Sequence, residues 1–367
     1  MRIGIDARLV DYRQAGIAQY TVQLIQGLAE CGAADEFVIL QSRRRRQPLA
    51  PYAGFTPRRI LTPPHHTLEQ ITLPLEISPL RLDVLHSPDF IPPFRRNCRS
   101  VITIHDLNFV LYPHFLTKSA ARYYGQIDEA VRHTDAIIAV SQATKEDIVR
   151  LLGVPERKIR VIYEAASPVF RRLEDGDLMA KVRGRFGIRR DFILFVSTIE
   201  PRKNVPTLLR AYKRLRESYR VETMLVLAGE RGWLYEEVFQ LVGELGLQEQ
   251  VLFLGRVSTE ELVWLYNTAR LLVAPSFYEG FGLTPLEAMA CGTPVVASNT
   301  SSFPEVVGDA GLLVDPYEIE DLTVAMWRLL SDEDLRASLI EKGFKRAALF
   351  SWEKTARETL DLYHSLA

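Results

Sequence analysis

The chain has 367 residues, 47% of them hydrophobic and 25% charged, with a formal net charge of -1. That length exceeds the ~250–300 residues at which single cores stop growing, so two domains are expected. The near-neutral balance gives no global reason to invoke nucleic acid. Three widely spaced cysteines, Cys31, Cys98 and Cys291, without a CxxC pair argue against a disulfide framework or a zinc site. Met1 leads straight into RIGIDARLV with no leader pattern, and no apolar run approaches ~18 residues, so a reducing, cytoplasmic setting is expected.

In chain order the predicted strands are RIGIDA, EFVILQ, DVLHS, SVITIH, AIIAVS and KIRVIY, then FILFVS, TMLVLAG, VLFLG, RLLVAPS, TPVVAS and GLLVD. These short, nearly continuous apolar runs suit strands buried on both faces. Between them lie helical stretches at Thr21–Glu30, Ala120–Arg132, Val205–Arg216, Tyr235–Leu245 and Ile319–Leu330. Such alternation predicts α/β architecture with parallel sheets covered by helices on both sides. A polar, proline-containing segment at 163–177 separates the two groups of strands, which places the domain boundary there, at 168/169. The terminal FSWEKTARETLDLYHSLA reads as an amphipathic helix, with Trp352, Ala356, Leu360 and Tyr363 roughly on one side.

Parallel α/β sheets bind ligands beyond the carboxyl ends of their strands, and several motifs fall at such ends. Gly16, in AGIAQYT, precedes a helix whose backbone N–H groups suit an anion, although helix-start glycines are commonly structural. TIHDLNF puts His105 and Asp106 after a strand. His105 suits hydrogen bonding to a sugar or proton relay, or a purely structural role, and Asp106 suits a turn cap. Arg202 and Lys203 share a strand–helix loop in STIEPRKNVP. A guanidinium fork beside a mobile ammonium suits a diphosphate, and solvated loop bases are the equal alternative. Gly229 and Gly255 also end strands, the latter followed by Ser258 or Thr259 as a helix cap with Glu261 as its capping-box partner.

PSFYEGFGLTPLEAMA sets Glu279 and Glu287 eight positions apart. As one helix their carboxylates would diverge by about 80°, and Gly280 and Gly282 interrupt that helix in any case. Thr284, Pro285 and Glu287 fit N-cap, N1 and N3 of a new helix, so Glu287 has a capping-box explanation and Glu279 that of a loop acid. What remains is the Gly280-Phe281-Gly282 loop ahead of a helix start, an arrangement that favours an anion. Flanking acids there suit the hydroxyls of a sugar and a ribose. The basic run Arg43–Arg46 is either a patch for anionic lipid headgroups or a solvated loop, and without interleaved aromatics it does not read as nucleic-acid binding.

Together GIDARLVDYRQAGIAQYT, TIHDLNF, VSQATKEDI, STIEPRKNVPTLLRAY and PSFYEGFGLTPLEAMACGTPVVAS resemble the GT4-type retaining glycosyltransferases of GT-B fold, over nearly the whole chain and in the family's order. The last stretch carries a glutamate–seven residues–glutamate signature. The resemblance implies two Rossmann-like, doubly wound parallel-sheet domains facing across a cleft. They would be residues 1–168, completed by a returning final helix at about 351–367, for the acceptor, and 169–350 for the nucleotide sugar. By motif, Arg202 and Lys203 would hold the diphosphate, Glu279 the transferred hexose and Glu287 the ribose hydroxyls. Backbone at Phe281, Gly282, Leu283 and Thr284 would face sugar and phosphate, Gly16 the phosphate, His105 the hexose near its reacting carbon, and backbone near Arg256 and Val257 the base. Two positions depart from the family pattern: Ser197–Thr198 stands where many relatives carry glycine–arginine, and Glu164–Ala165 where asparagine–glycine is usual.

The reaction expected is transfer of a hexose from a nucleoside diphosphate sugar to an acceptor hydroxyl, with retention and no metal or other cofactor. GDP-mannose is the favoured donor, with UDP- or ADP-sugars as alternatives. The acceptor would be a glycan or lipid-linked, with peripheral contact at the inner membrane face. The competing readings are a sugar-nucleotide hydrolase or epimerase of the same fold and a non-catalytic nucleotide-sugar-binding subunit.

Overall fold

The structure is a computed structural model. It describes residues 1–12, 16–32, 34–112, 122–188 and 190–366. Ala120 and Ala121, expected to open a helix, lie outside these. The chain divides into two compact units, Met1–Glu164 with Ser351–Ala367, and Ala165–Phe350.

The first unit is built on strands β1 (Arg2–Asp6), β2 (Glu36–Ser42), β3 (Phe55–Ile60), β4 (Val84–Ser87), β5 (Arg99–Ile104), β6 (Ala136–Ala139) and β7 (Ile159–Val161). They form one sheet in the order β3-β2-β1-β4-β5-β6-β7, every pairing parallel. The order reverses between β1 and β4, the doubly wound arrangement whose ligand crevice opens at the carboxyl ends beside that reversal. Strand β3 was not expected. Its FTPRRI carries Pro57 and two exposed arginines, Arg58 and Arg59, residues tolerated only because this strand lies at the sheet's edge.

The last helix, Trp352–His364, belongs to the first unit. Ser351 caps it by accepting from the Lys354 amide, and its buried stripe of Trp352, Thr355, Ala356, Thr359 and Tyr363 packs on the helix Gly16–Glu30. Gly27 makes that approach feasible, because a Cβ there would stand 2.7 Å from the Trp352 carbonyl oxygen.

The second unit carries β8 (Phe192–Val196), β9 (Met224–Ala228), β10 (Val251–Gly255), β11 (Leu271–Ala274), β12 (Val295–Ser298) and β13 (Leu312–Val314). Its sheet is again all parallel, in the order β10-β9-β8-β11-β12-β13, with the reversal between β8 and β11. Side chains alternate across it, as a strand period of two requires. Ile193 and Phe195 join the core under the helices Val205–Tyr219 and Ile319–Ser331, while Phe192 and Leu194 face the opposite core under Leu178–Phe186 and Thr259–Thr268. Both faces are therefore apolar, which explains why these strands read as unbroken hydrophobic runs.

Candidate active site

In the second unit, β8 and β11 are adjacent at the reversal, and the loops leaving their carboxyl ends carry the predicted residues together. The turn Pro201–Lys203 follows β8, and the Phe277 amide of the loop after β11 donates to the Arg202 carbonyl at 2.9 Å. Asn204, buried and in the left-handed region at φ 56°, donates through its amide to the carbonyls of Pro275 (3.1 Å) and Pro316 (2.7 Å). These bonds fix the two loops against each other.

Glu279 is the hub. One carboxylate oxygen accepts from Lys203 Nζ at 2.6 Å and Ser276 Oγ at 2.8 Å, the other from an Arg202 guanidinium nitrogen at 2.8 Å. Arg202 also reaches the Tyr278 carbonyl (2.8 Å) and the Glu200 carboxylate (2.9 Å). Burial by itself would raise the Glu279 pKa, but the charges of Arg202 and Lys203 outweigh it and hold the carboxyl at about 2. A carboxylate so depressed is a weak base and nucleophile. Its chemistry is to orient cations and hydroxyl groups.

A second turn pins the Glu279 loop from below. Ser301 Oγ accepts from the Glu279 amide at 3.1 Å and donates to the Glu279 carbonyl, Ser302 Oγ donates to the Phe281 carbonyl at 2.6 Å, and Thr300 Oγ1 donates to the Phe277 carbonyl at 3.1 Å. Sequence reasoning did not single out Ser276, Glu200, Asn204 or Thr300–Ser302. The hydroxyls of Thr300, Ser301 and Ser302 carry no local signature for bonds that reach a loop more than twenty residues away in the chain.

The helix start differs from expectation. The helix runs Leu283–Ala290 with Gly282 as N-cap, so Thr284 and Pro285 occupy its second and third positions and Glu287 lies beyond the capping-box position. The cause is Gly282. Its φ of 104° is open only to glycine, and a Cβ there would meet the Phe303 ring at 2.8 Å, so the turn closes two residues early. Leu283 and Thr284 then form the first turn beside the Gly280–Gly282 loop, with no side-chain cap. Phe281 is buried, packed edge-on against Phe350.

Glu287 instead accepts a 3.0 Å hydrogen bond from the Tyr266 hydroxyl. Burial, opposed only by that bond, pushes its carboxyl up to about 8. The signature's two acids thus sit in opposite electrostatic surroundings, one clasped by cations and the other held among apolar neighbours and a phenol. Tyr266, whose own ring is core, was not legible as a site residue.

Elsewhere in this unit, Gly229 donates from its amide to the Gly255 carbonyl at 2.8 Å, linking the ends of β9 and β10. Arg256 and Val257 follow β10, Arg256 exposed and paired with Glu230 at 3.2 Å, Val257 half-buried against the core. Ser258 and Glu261 form the expected capping box.

In the first unit, His105 follows β5. Its Nδ1 is 2.7 Å from the Glu164 carboxylate and its Nε2 is 3.0 Å from the Pro88 carbonyl. Burial lowers the imidazole pKa, yet the hydrogen bond and charge of Glu164 prevail and the ring is shifted upward. Tyr20 packs edge-on to the ring at 4.7 Å. Asp106 does cap a turn, accepting from the Asn108 amide at 3.0 Å. Gly16 opens its helix with nothing within 4 Å of an added Cβ. Among the described residues, no group of three or more His, Cys, Asp or Glu is arranged to hold a metal ion.

The comparisons with known proteins agree with this architecture. Residues 15–168 match the family model Glycosyltransferase Family 4, and residues 181–346 match Glycosyl transferases group 1. The chain is 36% identical over 285 residues to the O-antigen chain mannosyltransferase B of Escherichia coli, a match covering 77% of this chain and 74% of that protein. Among solved structures, sucrose-phosphate synthase from Thermosynechococcus elongatus superposes with a TM-score of 0.79 at 23% identity, over 100% of this chain and 99% of that one. Anabaena HepE in complex with UDP and glucose superposes with a TM-score of 0.75 at 20% identity, over the whole of both chains. This chain belongs to the group 1/family 4 glycosyltransferases and is a glycosyltransferase of GT-B fold, related to the mannosyltransferases of O-antigen synthesis.

Proposed function

We propose that the protein transfers a hexose, mannose in preference, from a nucleoside diphosphate sugar to an acceptor hydroxyl of a glycan or lipid-linked glycan, with retention at the anomeric carbon. The carrying observation is the Arg202–Lys203–Glu279 cluster at the β8/β11 reversal, where a doubly wound sheet takes its ligand. Two cations pre-set by one carboxylate suit a diphosphate, whose charge grows as the sugar leaves, and electrostatic stabilisation of that charge is the main contribution required of the protein. The helix beginning at Leu283 adds its positive end. This reading needs no metal ion or other cofactor.

In it, Glu279 orients hexose hydroxyls while steadying both cations, Glu287 receives the ribose hydroxyls, and backbone at Phe281, Gly282, Leu283 and Thr284 meets sugar and phosphate. Backbone near Arg256 and Val257 meets the base. From the first unit, Gly16 approaches phosphate and His105 acts near the reacting carbon. Similarity to an O-antigen mannosyltransferase supports mannose, and the HepE complex with UDP and glucose supports a nucleotide donor. GDP-mannose is the favoured donor, ahead of UDP- and ADP-sugars.

The acceptor side would work at the inner membrane face as a peripheral protein. Among the described residues, no helix is long and apolar enough to cross a membrane. The expected basic run is partly committed, with Arg45 bonded to Asp11 at 2.7 Å and Arg44 over the Tyr12 ring. Arg59 bonds the Arg46 carbonyl at 2.8 Å, and nearby Leu61, Leu68, Ile71 and Leu75 are exposed. Basic groups next to exposed apolar side chains suit an anionic lipid surface. A thermal-shift panel of GDP, UDP, ADP and their sugars tests the donor. GDP and GDP-mannose at ~100 times their dissociation constants should add about 2.7 kcal/mol, and equal, negligible shifts for every nucleotide would contradict the proposal.

A further inference from the structure

Glu164–Ala165, where the family resemblance leads to an expectation of asparagine–glycine, follow β7, the last strand of the first sheet, and the Glu164 side chain does not point idly into solvent. Glu164 is 5% exposed and its carboxylate meets His105 Nδ1 at 2.7 Å. The opposite ring nitrogen, Nε2, lies 3.0 Å from the Pro88 carbonyl. A carbonyl oxygen only accepts, so Nε2 carries a proton. An imidazole is more basic than a carboxyl by roughly two pH units, so the proton shared with Glu164 rests on Nδ1 as well. Both nitrogens therefore donate, and the ring is an imidazolium with its plane set by two bonds on opposite sides.

The surroundings agree. Asp89, in the loop after β4, adds negative charge near the ring. His86, in β4, feels the His105 charge and is held neutral: it is fully buried, and its nitrogens lie 2.6 Å from the Tyr363 hydroxyl and 2.8 Å from that of Thr103. Burial and then the positive His105 drive it down to about 3. Tyr20, from the helix Gly16–Glu30, contributes a ring edge and no charge, its hydroxyl being 3.3 Å from Thr103. Glu164, Asp89, His86 and Tyr20 are titratable groups facing His105, and the first two act on it with negative charge.

We propose that Glu164 is a positioning residue for transfer, holding His105 as a fixed imidazolium whose charge, and not a mobile proton, acts on the reacting sugar diphosphate. This rests on the glycosyl-transfer reading above. With both nitrogens engaged, His105 is unsuited to relay a proton, which leaves its charge as what it offers a sugar or a departing phosphate.

The test has two readouts on the full chain. Ring-resonance titration of His105 by NMR in the wild type should show imidazolium persisting through neutral pH, and Glu164→Gln should lower the midpoint by ~1 unit or more, the effect of losing an opposed charge within hydrogen-bond distance. In transfer assays with GDP-mannose, Glu164→Gln should move the alkaline limb of kcat to lower pH by the same amount while donor KM changes less than about threefold, and Glu164→Asp should recover part of the shift. A neutral His105 at pH 7 in the wild type, or a pH profile unchanged by Glu164→Gln, overturns the proposal. Absence of sugar transfer by the wild type with any nucleotide sugar contradicts the functional reading and the catalytic half of this one, and the NMR arm still decides the pairing separately.

Discussion

Lys203 Nζ and Glu279 Oε1 lie 2.6 Å apart, joining the loops that leave two adjacent strands at the point where the second sheet reverses its order. That bond, with its Arg202 counterpart, sets cations and carboxylate before any ligand arrives. Preorganised charge costs no reorganisation during reaction, which is why such an arrangement is effective in catalysis.

The same cluster makes stability sensitive to acid. The Glu279 carboxyl is depressed from 4.5 to about 2 in the folded state, so its stabilisation is present above pH 4.5 and lost as pH falls from 4.5 towards 2. Glu279→Gln leaves Arg202 and Lys203 without their carboxylate and should cost on the order of 2 kcal/mol at pH 6. Urea melts of both forms at pH 6 and near pH 2 check this. The gap between them should narrow in acid.

Glu287 has the opposite sign. Its folded-state pKa near 8 lies above the ordinary 4.5, so the stabilisation of its protonated form is complete below pH 4.5 and is lost as pH rises through about 8. Glu287→Gln, which keeps a neutral side chain, should gain stability relative to wild type as pH goes from 5 to 9. Parallel thermal melts across that range measure it. In donor kinetics, Glu287→Ala should raise KM for the nucleotide sugar by roughly 10- to 100-fold, the value of one or two hydrogen bonds with a partner left unsatisfied.

How much of this was legible in the chain differs by feature. Apolar runs ending in polar or glycine residues located twelve strands, because parallel strands are buried on both faces. Strand β3 escaped because an edge strand tolerates Pro57, Arg58 and Arg59. Arg202, Lys203 and Glu279 were visible because each follows such a strand, although only the fold could show that their two strands are neighbours. The helix start at Leu283 was misread because Thr284–Pro285 fits a capping rule that the left-handed Gly282 pre-empts. The bonds from Ser301 and Tyr266, like the meeting of Glu164 with His105, join residues distant in the chain and leave no periodic trace.

Wild-type protein should float with vesicles of phosphatidylglycerol and not with vesicles of phosphatidylcholine alone, and salt should weaken the association. Ile71→Asp with Leu75→Asp, and separately Arg58→Glu with Arg59→Glu, should each reduce flotation. All four side chains are exposed, so the melting temperature should hold. Equal recovery of wild type and both double variants would contradict this surface.

The most direct test of the central claim is transfer of mannose from GDP-mannose to a mannosyl glycan acceptor by wild type and Lys203→Ala, each shown folded by circular dichroism. Transfer by the wild type is expected, with a loss of roughly 10²- to 10³-fold in kcat for Lys203→Ala, the scale of removing one preorganised charge from a developing anion. Turnover by Lys203→Ala within a few-fold of wild type would contradict it.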